Sequence, residues 1–75
     1  MKQDYEARIF GNNLKRIRKD NGLSMKAMSK KLGIGVKSLS LIEKGIFPPR
    51  LSTDILFKIH SEFGFLPSEM FSTPE

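Results

Sequence analysis

The sequence contains no cysteine, which excludes a disulfide framework, a thiolate metal site and a zinc finger. Its one histidine, His60, has no second histidine or cysteine with which to bind a metal, and we expect it to pack at the edge of a core. The sequence also lacks a phosphate-binding loop, a nucleophile motif and an arrangement of paired catalytic carboxylates. It therefore predicts no metal, no cofactor and no enzymatic activity.

Long apolar segments are missing as well. No run approaches the roughly 20 apolar residues that a membrane-spanning helix needs, and the N-terminus lacks the apolar region of a signal peptide. We therefore expect a cytoplasmic protein with no membrane partner. Its 75 residues allow one small domain over 1–75, with a core at about 5–71 and flexible ends at 1–3 and 72–75.

Positive charge is concentrated in one part of the chain. The net charge is +5, but residues 15–44 contain nine basic and two acidic side chains. Residues 51–75 contain one basic and four acidic side chains. Lysine-rich helix faces are often only solvated surface, whereas a basic segment that coincides with a binding motif indicates an anionic partner.

The basic part of the chain predicts two short helices joined by a glycine turn. Ser24 is a natural N-cap for a helix over residues 25–32, and Gly33 suits the left-handed conformation that ends it. Gly35 is an acceptable cap for a second helix over residues 35–44. Two such helices are typical of a helix-turn-helix, whose second helix enters the DNA major groove.

The second of these helices has two different faces. At about 100° per residue, Leu39 and Ile42 share the face that belongs in a core. The opposite face is free to contact a partner. It contains Val36, Lys37, Ser40, Leu41 and Lys44.

Three further helices complete the predicted fold. The first is expected over residues 4–20 with Asp4 as its cap, and Gly11 inside it indicates the close approach of another helix. A proline-containing loop follows the two-helix unit, and then a fourth helix begins near Thr53. Pro67 begins the fifth. The sequence thus predicts an all-α, compact five-helix domain.

Three segments carry a distinctive spacing: Phe10-Gly11-x-x-Leu14-x-x-Ile17-Arg18, Leu23-Ser24-x-x-x-Met28-Ser29-x-x-Leu32-Gly33-Ile34 and Ser38-Leu39-Ser40-x-Ile42-Glu43-x-Gly45-x-x-x-Pro49. Together they resemble the Cro and phage-repressor-type, or XRE-like, helix-turn-helix family over about residues 10–71. The resemblance implies the lambda-repressor-like fold and a transcription regulator that binds double-stranded DNA as a homodimer.

The resemblance also implies roles for particular residues. Arg18 and Glu43 match a buried ion pair that has a structural role in the family. Base or groove contacts are expected from the recognition helix at Val36, Lys37, Ser40 and Leu41. Phosphate contacts are expected from Ser24, Met25, Lys44, Arg50, Lys15 and Lys26.

Several positions depart from the family pattern. Met25 replaces the usual glutamine, and Ser29 replaces a small alanine, with a hydroxyl that can bond back to its own helix. Val36 and Leu41 stand where polar base readers are common, although both can contact thymine methyl groups. Two alternatives to a homodimeric repressor therefore stay open: a protein-interaction module, such as an antirepressor or adaptor, that uses Met25, Val36 and Leu41, and a DNA-binding antitoxin.

Five apolar side chains outside the motif allow two interpretations. They form an exposed patch for a homodimer, or they close a small core. These side chains are Ile46, Phe47, Phe57, Phe65 and Phe71.

Overall fold

The computed structural model describes residues 2–47 and 53–73, and these residues form five helices without a strand. The helices are α1 (Lys2–Asp20), α2 (Met25–Leu32), α3 (Val36–Glu43), α4 (Thr53–Phe63) and α5 (Pro67–Met70). The all-α, five-helix prediction is confirmed. The described helices include none that is long and apolar enough to cross a membrane.

The start of α1 differs from the prediction. The helix begins at Lys2 and includes Gln3 and Asp4, so Asp4 is not its N-cap. The cause lies in the composition of this segment. Residues 2–10 contain no glycine or proline, so no helix-breaking residue separates the first three positions from the rest of the helix.

The core draws side chains from all five helices. Burial of one large apolar side chain stabilises a fold by roughly 1.5–3 kcal/mol, so these contacts dominate the stability of a small domain. Leu39 and Ile42 are fully buried, as the helical spacing of α3 predicts. The other fully buried large side chains are Phe10, Leu14, Met28, Leu32, Ile59 and Met70.

α1 and α3 pack against each other at Gly11. A Cβ atom at this position would overlap the carbonyl oxygen of Ile42 and would lie 3.0 Å from that of Glu43. The C-terminal end of α3 therefore fills the space of the missing side chain. This confirms the predicted close approach and explains why α1 tolerates a glycine that costs about 1 kcal/mol relative to alanine.

Hydrogen bonds from the Asn13 side chain connect the C-terminal segment to α1. Its side chain is 3% exposed, and its Nδ2 group donates to the carbonyl oxygens of Met70 at 2.7 Å and Ser72 at 3.0 Å. The Ser72 hydroxyl donates in turn to the carbonyl oxygen of Ser68 at 2.8 Å. Ser72, expected in a flexible end, is therefore hydrogen-bonded through both its backbone and its side chain.

Aromatic packing shows which of the five apolar side chains outside the motif contact the core and which form exposed surface. The ring of Phe10 lies 5.4 Å from that of Phe47 and 5.1 Å from that of Phe71, measured between centroids. Phe47 therefore helps to close the core, and Phe71 packs on Phe10 with 36% of its surface still exposed. The other three are also exposed: Ile46, Phe57 and Phe65.

Candidate nucleic-acid interface

The N-terminus of α2 is capped by Ser24, as predicted. The Ser24 side-chain oxygen accepts from the Ala27 N–H group at 3.0 Å, and its carbonyl oxygen accepts from Met28 at 2.9 Å. The N–H groups of Met25 and Lys26 precede these bonds and have no intrahelical acceptor. The first turn of α2 contains no acidic residue, so the positive end of the helix dipole is not neutralised locally.

The turn between α2 and α3 follows the predicted chemistry. Gly33 has a φ of +70° and donates to the Lys30 carbonyl oxygen, while Ile34 donates to that of Ser29 at 3.0 Å. The Ser29 hydroxyl bonds back to the carbonyl oxygen of Lys26 at 2.8 Å, as its position predicted. Ile34 packs against the core, which anchors the turn immediately before α3.

The two faces of α3 are confirmed by its burial. Leu39 and Ile42 are fully buried. The opposite face presents charge at its centre and apolar atoms at its edges, and the first turn of α3 has no acidic residue. Lys37 and Lys44 are exposed, Val36 is 44% exposed, and Ser40 and Leu41 are half-buried.

Met25 departs from the expected outward apolar face. It is half-buried and packs against the core. Its long, unbranched side chain reaches the core from the first turn of α2, which a shorter side chain would not do. The apolar part of the outward surface therefore comes mainly from Val36 and Leu41.

The side chains of Arg18 and Glu43 form an ion pair between α1 and α3. Arg18 Nε donates to one carboxylate oxygen at 2.8 Å, and Nη2 donates to the other at 3.2 Å. Nη1 donates to the Leu23 carbonyl oxygen at 3.1 Å, which also ties in the loop before α2. The side chains are 14% and 7% exposed. The hydrogen bonds to Glu43 raise the pKa of Arg18, and desolvation opposes this effect.

The other basic side chains near the motif lie on α1 and on α2. Lys15 on α1 and Lys26 on α2 are exposed, whereas Arg50 lies outside the described residues. Lys31, at the end of α2, is paired with Glu62 of α4 at 3.4 Å. Its charge is thus partly compensated within the domain, unlike that of the outward face of α3.

Sequence reasoning did not find the role of Asn13. A signal was available, since Asn13 lies at helical spacing on the same face of α1 as Phe10, Leu14 and Ile17. A polar residue in such an apolar stripe needs hydrogen-bond partners. Which carbonyl groups it meets depends on where α5 lies.

No group of three histidine or acidic side chains that could hold a metal occurs within residues 2–47 and 53–73. A family model described as helix-turn-helix matches residues 14–70, which includes α2, α3 and the ion pair. Comparisons with curated proteins and with solved structures give no match. The chain belongs to the helix-turn-helix family of the Cro and phage-repressor type, and it is a DNA-binding transcription regulator with a lambda-repressor-like fold.

Proposed function

We propose that the protein is a homodimeric repressor that recognises particular sequences by placing α3 of each copy in the DNA major groove. The observation that carries this proposal is the division of α3 into a buried face and an outward face with exposed Lys37 and Lys44. Lysine charges attract phosphates. Lys37 can also donate to guanine, and the half-buried Ser40 can bond to several base edges.

The N-terminus of α2 supplies a second set of proposed contacts. The oxygen of Ser24 already accepts from Ala27, which leaves its hydroxyl hydrogen to donate to a phosphate. The N–H group of Met25 and the charge of Lys26 lie at the same helix end, which favours anions. Lys15 and Arg50 are the remaining proposed phosphate contacts, the latter from its sequence position alone.

A salt titration of DNA affinity tests these contacts. Lys37→Gln and Lys44→Gln should each weaken binding and reduce the slope of log affinity against log salt by about 1. Lys31→Gln is the matched control, because its charge is already paired with Glu62 and the same substitution should leave the slope nearly unchanged. Equal slopes for all four proteins would contradict the proposed orientation of α3.

The homodimer is supported by surface chemistry. Phe57 is 71% exposed and Leu66 is 50% exposed. Both line a groove of about 530 Å³, and the residues that line it belong to the acidic segment 51–75 of the sequence. His60, expected at the edge of the core, is exposed in this groove.

We assign this groove to a second copy of the chain, because a two-fold axis lets the same apolar surface serve both partners. Phe57→Ser should shift sedimentation toward the monomer and weaken binding to a two-half-site duplex more than to a single half-site. Tyr5→Ser is the control, since Tyr5 is an exposed aromatic residue of α1 at 63%. An unchanged sedimentation coefficient for Phe57→Ser would exclude the groove as the interface.

Repression would follow from occlusion of promoter DNA. The exposed apolar atoms of Val36 favour one alternative function, a protein-interaction module that uses this side chain and Leu41. Replacing both residues with serine separates the two functions. A changed DNA preference supports the repressor, whereas unaltered DNA binding with loss of a protein contact supports the module. An antitoxin would show both DNA binding and a protein partner.

A further inference from the structure

Apart from its lysines, the outward face of α3 lacks the side chains that read bases through paired hydrogen bonds. It has no arginine, asparagine or glutamine, and Val36 and Leu41 offer no hydrogen-bonding group. We propose that this chain recognises its DNA site mainly through pyrimidine 5-methyl groups, which Val36 and Leu41 contact in the major groove. This inference rests on the DNA-binding function proposed above and names the chemistry of the preferred site.

The chemistry of the major groove supports methyl recognition. The thymine methyl group is the apolar feature that unmodified base pairs present there, whereas the other edges are donors or acceptors. A donor or acceptor that Val36 or Leu41 covered would lose its water without gaining a partner, which is unfavourable. The same two side chains therefore favour thymine and disfavour the alternatives.

The placement of Val36 and Leu41 allows them to contact different bases. A β-branched side chain in a helix has one strongly preferred rotamer, so Val36 loses little freedom on contact. Leu41 is half-buried, so part of its side chain stays accessible for contact with a base. The two positions are offset by about 7.5 Å along the helix axis, or about two base-pair steps where the helix follows the groove.

Gly35 supplies an independent observation at the N-terminal end of this face. Its φ is −76°, and an added Cβ atom would meet nothing within 4 Å. Neither backbone conformation nor packing inside the domain requires glycine here, and serine is the better N-cap. The absence of a side chain leaves space beside Val36 for a close approach of DNA.

Parallel selections from random duplex pools test the proposal. One pool is synthesised with thymidine, the second with deoxyuridine in its place, and the third with deoxyuridine and 5-methyldeoxycytidine. We expect a thymine-containing motif in the first pool, its loss in the second, and 5-methylcytosine at the same positions in the third. Each thymine-to-uracil change in the selected duplex should weaken binding by about fourfold, the factor for one buried CH₂ group.

Three variants assign the effect to residues. Val36→Ser removes both methyl groups of the side chain and leaves a hydroxyl, so one thymine-to-uracil ratio should fall toward 1. Lys44→Gln is the control, because it should weaken binding to both duplexes equally. Gly35→Ser should retain or slightly raise thermal stability while it weakens DNA binding.

The outcomes separate this inference from the function on which it rests. The same motif in the thymidine and deoxyuridine pools would overturn methyl recognition and leave DNA binding intact, as would binding without enrichment in any pool. No binding to any pool at low salt would overturn both. A wild-type thymine-to-uracil ratio in Val36→Ser would overturn the role of Val36.

Discussion

The Arg18–Glu43 and Lys31–Glu62 ion pairs both join helices in the described part of the chain, but their surroundings differ. Arg18 and Glu43 join α1 to α3 with side chains that are 14% and 7% exposed. Lys31 and Glu62 join α2 to α4 with side chains that are 43% and 40% exposed. Water screens the Lys31–Glu62 pair. The Arg18–Glu43 pair has lost most of its hydration, so each of its two charges depends on the other for stabilisation. We therefore expect burial, rather than opposite charge alone, to decide how much an ion pair contributes to the free energy of unfolding.

The largest expected effect is at Glu43. Glu43→Ala leaves the Arg18 guanidinium largely buried without its carboxylate, and the free energy of unfolding should fall by about 3–5 kcal/mol. Urea unfolding followed by circular dichroism measures this change. A loss below about 1 kcal/mol would mean that the buried pair behaves like the exposed one.

The raised pKa of Arg18 adds a prediction about pH. A group whose pKa is raised on folding stabilises the protein fully below its unfolded pKa and loses this effect only above its folded pKa. Since the pKa of arginine already lies far above neutrality and folding raises that of Arg18 further, arginine titration should not change stability between about pH 6 and 9. Urea unfolding across this pH range measures the effect. A change of stability with pH would contradict the prediction if Arg18→Met abolished it and Lys31→Met did not.

Asn13 tests whether removing one partner of a buried polar contact also destabilises the fold when neither partner carries a formal charge. Asn13→Ala removes the donor for the carbonyl groups of Met70 and Ser72, and we expect a loss of about 2–3 kcal/mol. Hydrogen exchange should rise first in α5. Unchanged exchange there, with lower global stability, would show that Asn13 acts through the core alone.

Gly11 tests the backbone contact beside the buried ion pair. Alanine normally stabilises a helix interior relative to glycine, but here its methyl group meets the end of α3. Gly11→Ala should therefore destabilise the domain by about 1–3 kcal/mol, measured by thermal unfolding. A higher melting temperature would show that the two helices separate without cost.

The smallest effect is expected at the exposed pair. Glu62→Ala should change the free energy of unfolding by less than about 1 kcal/mol, and added salt should reduce that difference further. The measurement is a denaturant titration at low and high salt. A salt-resistant loss as large as that at Glu43 would remove the distinction between the two contacts.

The helix-turn-helix itself was predictable because local chemistry specifies it. Ser24 caps a helix through its own side chain, and Gly33 adopts a positive φ. The buried face of α3 follows from the spacing of Leu39 and Ile42, which needs no knowledge of a partner. These features depend on neighbours within a few residues, so they can be predicted from the sequence.

Features that depend on distant neighbours were only partly predictable. The helical position of Gly11 indicated a close approach, but not that the end of α3 makes it. Asn13 lies within the apolar spacing of α1, but its burial was not predicted, and its acceptors lie 57 and 59 residues away in the chain. Met25 and Phe47 are apolar side chains whose burial depends on where the core lies.

Residue type and short spacing were enough to predict the five helices, the Ser24 cap, the turn before α3 and the family. The tertiary structure decided which apolar side chains remain exposed. It separated Phe57, which is 71% exposed, from Phe47, which is half-buried and packs on Phe10. The physical reason is that the burial of a side chain depends on the helices folded around it, whereas a cap or a turn is built from adjacent residues.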